Sequence, residues 1–264
     1  MAAIEITDRS RIAGILEEHL VTNLEAYDEC LLGVDGLVTV FAEDVERPAS
    51  FVTVRWGQKS LGLGSVAQLT ATRVLDLPPL LAAFPAERGL FDLAFPFWAS
   101  SGVASGLIAE PVGALAYYQV DRARLAPSPA VRQCTRLDDL RVVKPMFPKL
   151  AEDTPVYVLA LRGELVAVAA VTHLQKDVAR CHAYTVEGSR GRGFGRAVLT
   201  ALAEELLALK LRPTAAVELG DEAAVRLIEN AGFFQAQSWL KAKVTGRRVE
   251  AAPPGPGLIG LTRR

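Results

Sequence analysis

The sequence predicts an α/β (α+β) chain built in two parts: an α/β half over residues 1–124 and, after a short linker at 125–130, a second half over 131–249, with an irregular tail at 250–264. Three observations carry this reading. Runs rich in β-branched and aromatic residues alternate with helix-spaced apolar residues. A proline-containing break with no periodicity, Leu125 to Ala130, separates the halves. A glycine- and arginine-rich turn, Arg190 to Arg196, lies between a strand-like and a helix-like segment.

Composition bounds the function. With 264 residues, half of them hydrophobic, the chain can bury a sizeable core, which excludes a disordered polymer. A net charge of -1 gives no general attraction to phosphate polymers, so no nucleic-acid partner is expected. Cys30, Cys134 and Cys181 form no CxxC pair, as suits a reducing cytoplasm, and His19, His173 and His182 lack metal-ligand spacing, so no metal is expected. Glu5, Asp8, Arg9 and Arg11 interrupt the start, so it does not read as a secretory signal; no stretch reads as a membrane span.

In the first half, Ile12, Ile15, Leu16, His19 and Leu20 recur at helical steps behind a cap at Thr7 or Asp8. His19 is read there as a packed helix residue. Strands are expected at Gly36–Phe41, Ala49–Arg55 and Ala114–Val120, and a proline-started helix at Leu77–Phe84. Tyr117 and Tyr118 are read as packing residues, with a pocket-lining role as the minority alternative. The glycines of Leu61–Ser65 lack basic neighbours.

The second half is more regular. A short strand at Val131–Cys134 is followed by a helix from Asp138 or Asp139 toward Met146, stopped by Pro148. Val156–Arg162 and Leu165–Thr172 flank Gly163 and Glu164 as a hairpin. Ala179–Val186 is the next strand, and after the turn Val198, Leu199, Leu202, Leu206 and Leu209 line one helix face. Ala215–Leu219 is a strand, Asp221 opens a helix that Gly232 ends, and Gln237–Val244 is a last strand.

The turn carries the chemistry. Glycines let the backbone approach a ligand, the first helical amides point outward, and Arg190, Arg192 and Arg196 add full charges: a phosphate or pyrophosphate site. A dinucleotide fingerprint fails, because the sixth position counted from Gly191 is Arg196 and from Gly193 is Val198. A Walker A loop fails too, since Gly195 is followed by Arg196 and Ala197.

The segment resembles the acyl-CoA turn of the GCN5-related N-acetyltransferases (GNAT), whose Gln/Arg-x-x-Gly-x-Gly/Ala pattern is met by Arg190, Gly193 and Gly195. Residues 221–233 resemble that family's second motif, and the likeness covers roughly residues 131–245. It implies a mixed, splayed sheet flanked by helices, with acetyl-CoA as acyl donor. The donor's pantetheine arm would pair with the backbone of Ala183, Tyr184 and Thr185; its pyrophosphate would rest on Gly191, Arg192, Gly193, Phe194, Gly195 and Arg196. Asp221 stands where many members carry Asn, and Ile228 where they carry the tyrosine that protonates the thiolate. The resemblance also allows the first half to be a degenerate copy of the same fold; an unrelated α/β domain is the alternative.

For the general base, Glu218 near a strand end is the candidate, with Glu187 and His173 as outsiders. The resemblance places Ala179, Cys181, Ala183 and Thr185 toward the acceptor, which counts against His182. Cys181 reads as a small buried filler. The implied activity is acyl transfer to a primary amine of a small molecule or peptide by a cytoplasmic protein, with no membrane partner; a homodimer is compatible. A non-catalytic CoA-binding regulatory module and a site for another phosphorylated ligand stay open as alternatives.

Overall fold

The computed structural model describes residues 3–32, 38–42, 48–57, 64–125, 129–137, 140–143, 145–147, 150–151 and 153–248. The tail at 250–264, linker residues 126–128, Asp138, Asp139 and Pro148, and residues 61–63 lie outside that set.

The first half runs β1 (Ile4–Ile6), α1 (Arg9–Glu17), α2 (Leu20–Leu32), β2 (Val38–Ala42), β3 (Phe51–Arg55), β4 (Ser65–Thr70), α3 (Leu77–Ala83), β5 (Phe91–Pro96), α4 (Ser100–Gly106) and β6 (Leu107–Val120). The second runs β7 (Thr135–Arg136), β8 (Tyr157–Leu161), β9 (Glu164–Gln175), β10 (Val178–Thr185), α5 (Phe194–Ala208), β11 (Arg212–Glu218), α6 (Glu222–Asn230) and β12 (Phe233–Arg247). Asp8 caps α1 as expected, its carboxylate accepting from the Arg11 amide at 2.9 Å. Two expectations are corrected. Val131–Cys134 is not a strand but part of a 3-10 turn, and in place of a helix toward Met146 there is one 3-10 turn, Leu140–Val142. Strands β4 and β5, and helix α4, were not expected from the sequence.

All twelve strands form one sheet in the order β1-β2-β3-β4-β5-β12-β6-β11-β10-β9-β8-β7. The order is a mirror of itself: each strand of the first half has its counterpart in the second at the same distance from the centre. Both halves present an antiparallel run, then a helical crossover (α3 or α5) to a parallel strand, then a helix and a last strand. The first half therefore repeats the topology of the second. Those last strands are exchanged. β6 leaves its own half to pair with β11, β12 crosses to pair with β5, and the two pair with each other along the sheet centre.

Strand alternation distributes the helices. Phe41, Val52 and Val54 pack with α3 and α4, whereas Val40, Ala42 and Phe51 pack with α1 and α2 on the opposite face. In the second half, α5 buries Ala197, Val198, Leu199 and Leu202 against β9, β10 and β11. Its position is fixed further by Glu205, which accepts from the Tyr157 hydroxyl and from Arg136, both at 2.6 Å. Among the described residues no helix is long and apolar enough to cross a membrane.

Two outcomes follow. Burial and the Glu205 carboxylate push the Tyr157 hydroxyl up to about 12 from 10.0. The folded protein then holds a proton that the unfolded chain releases, so this contribution is full below pH 10.0 and is lost as pH rises toward about 12. Urea melts from pH 9 to 11.5 should show stability falling with a slope that Tyr157→Phe reduces. Second, a fragment of residues 129–248 should give no cooperative melt, because β11 would lose β6 and β12 would lose both its neighbours. A monomeric, cooperatively melting fragment would contradict the strand exchange.

Candidate active site

β10 and β11 run parallel and pair only over Val178↔Arg212, Ala179↔Pro213 and Arg180↔Thr214. Beyond Arg180, β10 continues on β9 as far as Thr185, and β11 continues on β6 as far as Glu218. Each stays bonded on its outer side while the inner edges part. The backbone groups of Ala183 to Thr185 that turn toward β11 thus have no strand partner among the described residues, a condition suited to an extended ligand. A cavity of about 320 Å³ occupies the split, lined among others by Ala183, Leu199, Ala216, Glu218, Asp221 and Ile228.

The glycine-arginine turn closes one end. Gly193 caps α5 at φ +80°, with no side chain bonded to the helix terminus. The first-turn amides of Phe194, Gly195 and Arg196 have no carbonyl one turn back, and helix bonding resumes with the Ala197 amide on the Gly193 carbonyl at 3.0 Å. Gly195 meets a different demand: a Cβ there would lie 2.6 Å from Thr185 Oγ1 and 3.1 Å from Leu227 Cδ1. Only glycine lets α5 start so close to the end of β10. Around it, Arg190 donates from Nε to the Thr185 carbonyl at 3.2 Å, and the Arg192 guanidinium stacks 4.9 Å from the Phe194 ring centroid. Gly191 (φ +75°) completes the bend. The turn thus sets its glycines and the first-turn amides of α5 beside the end of β10, where the anion site was expected.

Asp221 caps α6, its carboxylate accepting from the Ala224 amide at 3.0 Å. Ile228 is buried on the wall between α6 and the sheet. Glu218 is exposed at the end of β11, where Lys241 of β12 donates to it at 2.6 Å. Tyr184 is exposed.

Other candidates fare differently. Thr185 abuts the start of α5, Cys181 and Ala183 pack in the core that α5 closes, and Ala179 is fully buried there. This set lies on the face that α5 covers, with Cys181 and Ala183 also lining the cleft, and alternation leaves the opposite face to Arg180, His182 and Tyr184. Burial pushes the Cys181 thiol up to about 12, so it carries no nucleophilic thiolate at neutral pH. His173 pairs with Arg180 where β10 and β11 are still joined, away from the cleft. Glu187 is exposed on a 3-10 turn before the glycines. His19 packs edge-on to Phe51 at 5.2 Å, and desolvation lowers its pKa. Tyr118 is core, whereas Tyr117 lines a cavity on the other face. Lys241, the partner of Glu218, was missed by sequence reasoning because a pairing across two strands leaves no local pattern.

The corresponding crossover of the first half lacks such a cradle. Pro78 and Pro79 stand in the first turn of α3 and have no N–H to offer. Asp76 before them places a carboxylate at that terminus, held by Ser50 at 2.6 Å and Arg73 at 2.8 Å.

Residues 132–233 match the sequence model of the family described as "Acetyltransferase (GNAT) family". No curated protein matches the chain. Among solved structures, a GCN5-related N-acetyltransferase from Sphaerobacter thermophilus aligns over 94% of this chain and 98% of its own, at 12% identity and a TM-score of 0.60. A GNAT-family acetyltransferase from Colwellia psychrerythraea aligns over 92% and 100%, at 13% identity and a TM-score of 0.56. A tandem GNAT protein from the clavulanic acid biosynthesis pathway aligns over 94% and 99%, at 11% identity and a TM-score of 0.57. At these identities the likeness is one of fold, and it extends over both halves. Residues 132–233 are thus similar to the GNAT acetyltransferase family, downstream of a topological copy of the same fold.

Proposed function

We propose that the protein is an N-acyltransferase that moves an acyl group, acetyl foremost, from acyl-CoA to a primary amine. The observation that carries this reading is the junction of two features: inner strand edges that part after Arg180 and, beside the end of β10, a helix terminus at Gly193 that no side chain caps. Neither feature alone selects coenzyme A. An anion cradle leading into an unpaired strand edge suits a diphosphate carrying an extended amide-bearing arm.

In this reading the amides from Gly191 to Arg196, with Arg190, Arg192 and Arg196, hold the diphosphate, and the backbone of Ala183, Tyr184 and Thr185 pairs with the arm. The bound thioester supplies an acyl group whose C–S bond breaks, its electron pair going to sulfur, as the amine forms the new N–C bond. Glu218 takes the proton that the attacking nitrogen loses. Lys241 holds that carboxylate at the cleft and keeps it oriented. No side-chain nucleophile is needed, in keeping with the buried neutral Cys181. Asp221 secures the α6 terminus that walls the cleft.

The buried Ile228 favours a second reading, a CoA-binding regulatory module without turnover, because an isoleucine supplies no proton to a departing thiolate. Thiol release separates the two: turnover with any amine supports transfer, and saturable binding without turnover supports the module.

Thermal-shift titration with acetyl-CoA should show saturable stabilisation, and Gly193→Val should abolish it, since φ +80° suits glycine and a branched side chain obstructs the amides. Undiminished binding by Gly193→Val would overturn the placement. Glu218→Gln should lower kcat by about 10²-fold or more with acetyl-CoA binding retained, the loss expected of a general base. An unchanged kcat would remove Glu218 from the mechanism.

A further inference from the structure

Arg180 is the last residue of β10 to pair with β11 before the two strands part. Its neighbours Ala179 and Cys181 pack toward α5, so Arg180 faces the opposite side, where Val178 packs with α2. Two registers give its path across the sheet. Arg180 leaves β10 level with Thr214 of β11, and its guanidinium arrives 5.2 Å from the ring centroid of Tyr117, the β6 partner of Ala216. The side chain therefore crosses β11 beside Thr214 and Ala216. Ala216 lines both the cleft between β10 and β11 and the cavity of about 250 Å³ on the α2 side. The guanidinium thus stands beside the residue that the two spaces share.

This cation is buried without compensation. It is 1% exposed, and among the described residues it makes no ion pair. Nη2 donates to the Val21 carbonyl at 2.7 Å, whereas Nε and Nη1 have no partner. An anion is the group that would answer both the unmet donors and the charge. The Tyr117 ring lies against the guanidinium and also lines the cavity, and a buried charge is screened too little for one ring to hide it. The cavity walls nearest this point are Tyr117 and Leu115 of β6 and Ala26 of α2. The polar groups beside them are already bonded: Gln68 donates to the Tyr117 hydroxyl at 3.0 Å, and Lys241 to Glu218 at 2.6 Å.

We propose that Arg180 selects the acceptor by charge, and that the acceptor is an α-amino acid with an apolar side chain. Its carboxylate lies toward Arg180, its α-amine one carbon away at the cleft beside Ala216, and its side chain against Tyr117 and Leu115. The place of Ala216 sets the spacing. A charge at the residue shared by both spaces favours an anionic group next to the reacting amine. A free α-amino acid provides that group; a peptide N-terminus or a lysine side chain in a polypeptide does not. The inference rests on the acyl-transfer reading of the cleft, in which Glu218, two residues along the same face of β11, takes the proton of the amine. It goes beyond that reading by naming the acceptor class and the residue that selects it.

Calorimetry on the full chain without donor tests this, at about pH 6, where the α-amines of acids and carboxamides alike carry a proton. L-leucine, L-methionine and L-phenylalanine are titrated beside L-leucinamide, L-methioninamide and L-phenylalaninamide. At least one acid should bind saturably and about tenfold or more tighter than its own carboxamide, the loss of one charge-assisted contact. Arg180→Met, which keeps the bulk of the stem without the charge, should bind acid and carboxamide alike, and Arg180→Lys should still prefer the acid. Acetyl-CoA titration of each variant should match the parent; should a variant lose that binding, the comparison within the parent decides. Absence of saturable binding by all of the acids, or equal affinity for acid and carboxamide in the parent, would overturn the proposal. So would a preference kept by folded Arg180→Met or lost by folded Arg180→Lys. Failure of the acyl-transfer reading would show separately, as absence of acetyl-CoA binding by the parent protein.

Discussion

The pairing of β6 with β11 is the constraint on which the rest of the molecule depends. A strand can part from its neighbour only if its other edge is satisfied, because unpaired backbone groups on both sides are costly. β11 gives up its bonds to β10 after Thr214 and keeps them to β6 through Glu218. The partner that makes the split tolerable comes from the other half of the chain. In this chain the cleft therefore rests on the exchange, which joins both halves in one sheet.

The two halves show how one topology is put to different uses by a few residues. Each has a helical crossover that joins two parallel strands. In the second half the helix N-terminus carries glycines, and in the first it carries Pro78 and Pro79 behind a bonded carboxylate. Proline removes the donors that an anion would use, and Asp76 supplies a competing charge. The first half also keeps β4 and β5 paired over four positions, Ser65↔Phe91 to Gln68↔Ala94. Its contribution is to the face opposite α5, where β3, β4 and β5 help line the cavity beside Tyr117.

Much of the second half was legible because its signals are local. Gly163 between two apolar runs marks a hairpin, the Gly191–Gly195 spacing marks a helix start, and Asp221 and Gly232 bracket α6. The first half was less so. α4 contains Ser100, Ser101, Gly102, Ser105 and Gly106, residues that read as a loop and become helical through packing on α3. The inner face of β10 was less legible for a related reason. Alternation tells which residues share a face, but only the position of α5 tells which face is inside. Strand exchange and the Glu218–Lys241 contact left no trace in the sequence, being pairings between distant segments.

The exchanged strands bear on biosynthesis. β5 needs β12, which ends at Arg247, whereas β6 is complete at Val120. At a synthesis rate of roughly 5–20 residues per second, the edge of the nascent first half stays uncovered for roughly 6–25 s before its partner emerges. During that interval Phe91, Leu93 and Phe95 lie on an open edge strand. Such a nascent chain is a natural client for a chaperone at the ribosome exit.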